Sequence, residues 1–319
     1  MYTVVYKDHK KLRCGDTTGT WAAIAAQGAV RFLLTGSWKE TEEIMTPKGV
    51  PVCVSLEEKT SGDSWAECAV RKDAGDDYDV TNGILVYARA EFVKDKNFYE
   101  KVQMSHLESS GFGVAGEKPG LSPENQKQQK KANVAHQKEA LPESLVRIDG
   151  GIGIGRITKS GLDQPVGAAA INSVPRKMIQ DAVYALLEEA GELFPVSITI
   201  SIPAGVEAAK KTFNPVLGIE GGISVLGTSG IVEPMSESAL IKTIEVEMRQ
   251  RVENGSRFLL VTPGNYGSAY LKEHMDLPLE GAMKCSNYVG ETIDMAVSMG
   301  VEGILFVSHI GKFVKVAAG

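Results

Sequence analysis

Long apolar runs are missing from this 319-residue chain. No stretch approaches the ~18 to 20 consecutive apolar residues of a membrane-spanning helix, so no span is expected. Cysteine is scarce: Cys14, Cys53, Cys68 and Cys285 are widely spaced and form no C-x-x-C pair. That spacing argues against a disulfide framework or a thiolate zinc site, and for reduced thiols in a cytoplasmic protein. The five histidines (His9, His106, His136, His274 and His309) show no metal-ligand spacing either, so no protein metal site is expected. Positive charge is in deficit as well. At a net charge of −6 the chain has no broad basic face for nucleic acid, and an anionic substrate has to be held by local cations. In MYTVVYKDHKKLRCGD the charges follow the short apolar piece, the reverse of a secretory signal.

What the chain does have is enough apolar residue, 43%, to bury a sizeable core, and by its length two. It also has glycine in a telling place. The run VLGIEGGISVLGTSGIVE, residues 216–233, carries Gly218, Gly221, Gly222, Gly227 and Gly230 beside Thr228 and Ser229. Glycine tolerates positive φ and lacks a Cβ, so such a run either brings backbone N–H groups up to a ligand or serves tight packing. Both readings stay open at this point. A helix follows from Ser236, a suitable N-cap, to about Val252. The spacing matches neither the dinucleotide fingerprint nor the phosphate loop.

Residues 17–35 read as an Ala-rich helix capped by Thr17 or Thr18 and ended by Gly36. Short strands are expected at 50–58, 66–71 and 84–90. Between the last two lies an acidic turn with Asp73, Asp76 and Asp77, either a solvated loop or a substrate and general-base site. Residues 94–146, rich in Gly, Pro, Gln and Lys, read as an insertion. Gly150, Gly151, Gly153 and Gly155 form a GxGxG-like run with no helix after it, which is weak support for a dinucleotide. A helix is expected from Pro175 to Ala190. From Pro195 onward strands alternate with helices: strands at 196–202, 223–226, 257–262 and 303–307, and helices at 205–211, 236–252 and 291–299. That order argues for a parallel sheet, with ligands beyond the carboxyl ends of its strands. The loops 227–233, 263–267 and 308–312 are expected to converge there. The fold class expected is therefore mixed, an α+β portion over 1–194 and a Rossmann-like parallel α/β portion over 195–319.

The blocks LRCGDTTGTWAAIAAQGAVRFLLTG, VRKDAGDDYDVTNG, GIGIGRITKSGLDQPVGAAAINSVPRKMI, TFNPVLGIEGGISVLGTSGIVEPMSESAL, TPGNYG, SNYVGETIDMA and HIGK resemble the cobalt-precorrin-5B (C(1))-methyltransferase family. They stand in the family's order across most of residues 12–316. The resemblance implies S-adenosylmethionine-dependent methylation of a ring carbon in a cobalt-containing corrin precursor, cobalt-precorrin-5B to cobalt-precorrin-6A, in anaerobic cobalamin biosynthesis. Cobalt then arrives inside the tetrapyrrole substrate. The methyl donor is expected against Gly218, Gly221, Gly222, Gly227, Thr228, Ser229, Gly230, Gly264, Asn265, Tyr266 and Gly267, with Glu233 either toward its ribose or complementing the dipole of the helix that starts at Ser236. Asp73, Asp76, Asp77 and His309 are the candidate catalytic groups. Thr17, Thr18, Arg156, Lys159, Arg176, Lys177 and Lys312 are candidate substrate contacts, the cations toward the precursor's acidic side chains. A homodimer is admitted. The chain departs from the family pattern in its long 94–146 stretch, in Trp21, in Ser173 where proline is usual, and in stopping at Gly319. Two other readings are a corrinoid-binding relative without catalysis and a nicotinamide-dependent reductase.

Overall fold

The computed structural model describes residues 3–7, 9–93, 145–191, 195–274 and 282–317. Strands β1 (Val4–Lys7), β2 (Lys10–Arg13) and β3 (Gly15–Asp16) lead into helix α1 (Thr18–Thr35). Thr17 caps α1 by accepting from the Thr20 amide, and Gly36 ends it at φ 69°, a left-handed conformation open to glycine. Ala22, Ala23, Ala25, Ala26 and Ala29 are fully buried, because small side chains let the helix axis lie close to a sheet. A hairpin of β4 (Thr41–Met45) and β5 (Pro51–Ser55) follows.

The main sheet is built from β6 (Glu57–Ser61), β7 (Trp65–Arg71), β8 (Leu85–Phe92), β9 (Val146–Gly150) and, further on, β12 (Val196–Ser201). Their spatial order is β6-β7-β8-β12-β9, with β12 antiparallel to β8 and parallel to β9. Alternate residues, Val86, Ala88 and Ala90 on β8 and Val196, Ile198 and Ile200 on β12, are buried in one core with α1 and with α2 (Ser173–Ala190). This is the period of two that a half-covered sheet demands. Each fully buried Ile there contributes about 1.5–3 kcal/mol.

Between these elements run the two-residue strands β10 (Gly153–Ile154) and β11 (Arg156–Ile157). After β12 come helix α3 (Gly205–Ala209) and the short strands β13 (Ile219–Glu220), β14 (Gly222–Ile223) and β15 (Ile231–Val232). They return to the first core: β14 pairs with β10, β13 with β11, and β15 with β3. The strand expected at 196–202 is therefore part of the first sheet. The boundary expected at residue 195 falls inside the first core, whose buried side chains run from Cys14 to Ile231. The strand expected at 223–226 is correspondingly short, and it joins β10 instead of the later parallel sheet.

A second core begins at α4 (Glu237–Glu253), where the Ser236 side chain caps the helix through the Ala239 amide. Then follow β16 (Phe258–Thr262), α5 (Asn265–His274), β17 (Ala282–Lys284), α6 (Val289–Ser298), β18 (Gly303–Phe306) and α7 (Ile310–Ala317). The three strands are parallel in the order β17-β16-β18. Ile244 and Met248 of α4 and Val289 and Ala296 of α6 pack on Leu259, Val261 and Met283. The expected alternation of strand and helix holds over this part of the chain. Of the insertion read at 94–146, residues 94–144 lie outside the described residues. Leu145 and Val146 are buried, and Val146 opens β9. Among the described residues no helix is long and apolar enough to cross a membrane.

Candidate active site

Two loci gather the expected residues. The first surrounds the start of α1. Asp73 takes both Nη atoms of Arg13, at 2.5 and 2.8 Å, and also accepts from the Gly75 amide. The Arg13 hydrogen bond holds its carboxyl below the ordinary range. Asp76 accepts from the Arg13 backbone amide at 2.6 Å and is exposed, while Asp77 is partly buried. Lys72, only 4% exposed, donates to Asp79 (2.5 Å), Thr81 Oγ1 (2.6 Å) and Thr18 Oγ1 (3.0 Å). It braces the acidic turn against α1 from within. Burial works to raise Asp79, but the Lys72 charge and the Lys72 and Thr81 hydrogen bonds outweigh it, and the group stays low.

Asp16 completes this locus, and the sequence reading passed over it. Its amide donates to the Asp73 carbonyl at 2.9 Å, so two acidic residues stand side by side while Arg13 engages one of them. Burial first, and then the Asp73 charge, push the Asp16 carboxyl up to about 6. Neighbouring carboxylates with diverging affinities for a proton are the arrangement from which acid and base roles arise. Arg13, Asp16 and Lys72 all lie inside blocks quoted above, next to residues that were singled out. Their importance comes from distant contacts, Arg13 and Asp16 with Asp73 and Lys72 with Thr18, which no local pattern displays.

The glycine run packs against this same locus. Gly230 and Leu226 carbonyls accept from the Thr17 and Gly19 amides, at 3.0 and 3.2 Å, and Thr20 Oγ1 donates to Gly230 O at 2.6 Å. A Cβ on Gly227 would stand 2.3 Å from Thr17, one on Gly230 2.6 Å from Thr46, one on Gly222 2.2 Å from the Gly153 carbonyl, and one on Gly218 2.6 Å from Lys159. Gly222, Gly227 and Gly230 are required by packing, Gly218 is favoured by its φ of 72° beside a movable Lys159 side chain, and of the five only Gly221 faces open space. Ser229 Oγ donates to Ile231 O, Thr228 is exposed, and Glu233 is ion-paired with Lys48. The loop 227–233 thus belongs to the first core and does not join 263–267 and 308–312 at one sheet end, as was expected.

Those last two loops do converge, and they form the second locus. The chain leaves β16, passes to β17 on one side, then crosses to β18 on the other. The carboxyl ends of β16 and β18 therefore flank a topological switch point, the place where open α/β sheets bind ligands. There Pro263 and Gly264 lead into α5, and Ser308 and His309 into α7, so two helix starts lie at that switch point. Gly267 allows the approach, since a Cβ on it would stand 2.2 Å from Val307 O. His309 is exposed, and its Nδ1 accepts from the Gly311 amide at 3.1 Å. The side chains of Asn265, Tyr266 and Lys312 lie outside those described.

The expected substrate cations whose side chains are described are engaged within the protein. Arg156 holds Asp149 and the Gly150 carbonyl, and Lys159 reaches Val216 O. Arg176 spans the Ile171 and Ile148 carbonyls, partly buried, and Lys177 pairs with Asp181 one turn along α2. Thr17 and Thr18 use their hydroxyls on α1 and Lys72. Among the described residues no group of three His, Cys, Asp or Glu stands close enough to hold a metal.

Comparison with known proteins identifies the family. The CbiD family model matches residues 5–128 and 124–234. The chain belongs to the CbiD family. Curated relatives named cobalt-precorrin-5B C(1)-methyltransferase are similar along its whole length. That of Ruminiclostridium cellulolyticum is 40% identical over 319 residues, spanning 100% of this chain and 70% of the relative. That of Clostridioides difficile is 38% identical over 326 residues, 100% and 74%, and that of Treponema denticola 38% over 323, 98% and 73%. A crystal structure of a cobalamin biosynthesis protein (cbiD) from Archaeoglobus fulgidus, 24% identical, aligns over 99% of this chain and 83% of that one at a TM-score of 0.45.

Proposed function

We propose that this CbiD-family chain methylates ring carbon C1 of cobalt-precorrin-5B with S-adenosylmethionine, in cobalamin biosynthesis in the cytoplasm. The observation that carries the reading is the 40% identity over the full chain to a cobalt-precorrin-5B C(1)-methyltransferase. The donor is assigned to the crevice that an open α/β sheet forms at such a switch point, a reading supported by the first turns of α5 and α7, which present amide N–H groups and a positive dipole end toward a carboxylate or ribose hydroxyls. When bound, S-adenosylmethionine supplies an electrophilic methyl group on sulfur.

Little covalent work then falls to the chain. The C1 electron pair forms the new carbon–carbon bond, and the pair of the broken C–S bond stays on sulfur. A methyl cation equivalent enters the ring, and loss of one proton from it restores charge balance. The crevice holds and orients the donor, and orientation of this kind lowers a barrier by about 7–11 kcal/mol. The acidic residues at the start of α1 lie on the other core. Asp16 and Asp73 are its candidates to take the proton, and Asp16 is suited near neutral pH by its position near 6.

The nicotinamide reading finds no support in the GxGxG loop. No helix follows it, and the place of a Cβ at Gly153 is 1.8 Å from the Ile202 carbonyl, so protein backbone occupies the space a pyrophosphate would need. The test is methyl transfer from trideuteromethyl-labelled donor to cobalt-precorrin-5B, read by mass spectrometry. A substrate gain of one labelled methyl at C1, located by NMR, is expected. Donor and precursor binding without transfer would instead select the non-catalytic corrinoid-binding reading. Light scattering on the same sample reads monomer or homodimer.

A further inference from the structure

The two loci lie on different cores, and the cores meet at a seam that no reaction step above uses. On the first core the loop 158–163 is fixed at three places. Thr158 donates to the Gly218 carbonyl through both its amide (2.7 Å) and its hydroxyl (3.0 Å). Leu162 packs on Ile157, Ala170 and Ile219, a small buried cluster beside the first core. Asp163 takes the amide and hydroxyl of Ser173 at the start of α2. On the second core, the last turns of α4 land on this loop. Gln250, only 6% exposed, donates through Nε2 to the Leu217 carbonyl, and Asn254 Nδ2 donates to the Ser160 carbonyl at 3.1 Å. Between them Gly161 stands at φ +92°, and a Cβ there would lie 2.6 Å from Gln250 Cα. The close contact is helix backbone, so no side-chain rotation could relieve it. Gly161 is thus restricted twice over, by its own dihedral and by the helix above it.

The other end of α4 is also tied. Lys7 Nζ donates to the Met235 carbonyl at 2.6 Å, just before the helix cap. One helix therefore enters the second core at one anchor and returns to the first core at another. Stability alone does not call for a buried glutamine and a left-handed glycine at such a contact, since apolar packing would serve it.

We infer that Gly161, Gln250 and Asn254 are positioning residues that hold the donor-binding core in register with the core bearing Asp16 and Asp73. The inference rests on the reading under Proposed function for its catalytic consequence, and on the seam alone for its mechanical one. A misplacement of about 1 Å between reacting groups can lower a rate about 100-fold. Donor binding, which belongs to the crevice between β16 and β18, is insensitive to that displacement.

The test uses the full chain with three variants, Gly161→Val, Gln250→Glu and Asn254→Ala. Gln250→Glu keeps the shape and removes the donor facing Leu217. Three quantities are read: the Kd of S-adenosylhomocysteine by calorimetry, kcat for methyl transfer, and the number of thermal unfolding transitions. The expected result is kcat lowered about tenfold or more for Gly161→Val, and less for the other two. Kd stays within about twofold, and a single wild-type transition splits into two as the cores uncouple. If Gly161→Val does not fold, the two milder variants decide the matter. Unsplit transitions together with kcat within twofold of wild type would overturn the inference, as would a Kd that rises in step with the loss of rate. A wild type that binds no donor and transfers no methyl refutes the proposed function instead, and the unfolding transitions still judge the seam.

Discussion

Asp16→Asn should make this protein more stable at neutral pH, against the usual direction of substitutions in a structured site. Burial and the Asp73 charge raise the Asp16 carboxyl to about 6, while the unfolded chain returns it to about 3.9. A carboxyl raised on folding contributes stability that is fully present below about pH 4 and lost as pH rises through 6. At full strength the difference is about 3 kcal/mol. The side chain is partly buried, so solvent screening reduces it to about 1.5 kcal/mol. Asparagine cannot ionise and escapes that loss. The backbone bonds at this position, Asp16 N to Asp73 O at 2.9 Å and Trp21 Nε1 to Asp16 O at 3.2 Å, do not depend on the carboxyl. Urea denaturation of wild type and variant from pH 4 to 7.5 measures the effect. The variant should gain about 1.5 kcal/mol at pH 7.5, shrinking toward zero near pH 4. A loss at pH 7.5, or a gain independent of pH, would refute the argument that Asp73 and burial set this group.

Other substitutions separate further causes. Lys72→Met leaves Asp79 without its cation in a mostly buried setting and should cost about 3 kcal/mol by urea titration, with Asp79→Asn added in the same chain recovering part of it. Gly153→Ala and Gly221→Ala both place a Cβ at positive φ, 78° and 83°. Gly221 faces open space and should lose only about 1–2 kcal/mol of backbone strain. Gly153 meets the Ile202 carbonyl as well, so its thermal midpoint should fall well below that of Gly221→Ala. Equal midpoints would show that the Gly153 loop yields easily.

How much could be read from the sequence depended on whether the deciding contact was local. Helix α1 was legible to its caps, because Thr17 and Gly36 act within one turn of its ends. The same holds for Ser236 before α4 and for the alternation from β16 to α7. The place of β12 was not legible. Its alternating pattern fits any half-covered sheet, and only pairing with β8 and β9 assigns it to the first. The glycine run shows the same limit. Its composition suits a ligand cradle and a tight contact equally, and the structure fills the space at Gly227 with Thr17. At the acidic turn the aspartates stood out locally. What distinguishes Asp16 from Asp73 is Arg13, which engages one carboxylate and leaves its neighbour to be raised.

The position of β12 between β8 and β9 also bears on how the chain is made. During synthesis β9 emerges before β12, yet in the finished sheet β9 touches no other strand of it. The amides that start α1 wait longer still, since their acceptors at Leu226 and Gly230 leave the ribosome some 200 residues later. A nascent chain of the first 190 residues therefore carries an exposed strand edge and an Ala-rich helix whose Thr17 and Gly19 amides lack their later acceptors, the condition in which chains associate wrongly. Closure by such distant segments makes folding slow. Translation stalled before residue 232 should yield a species held by chaperones, and release past that point a protected one.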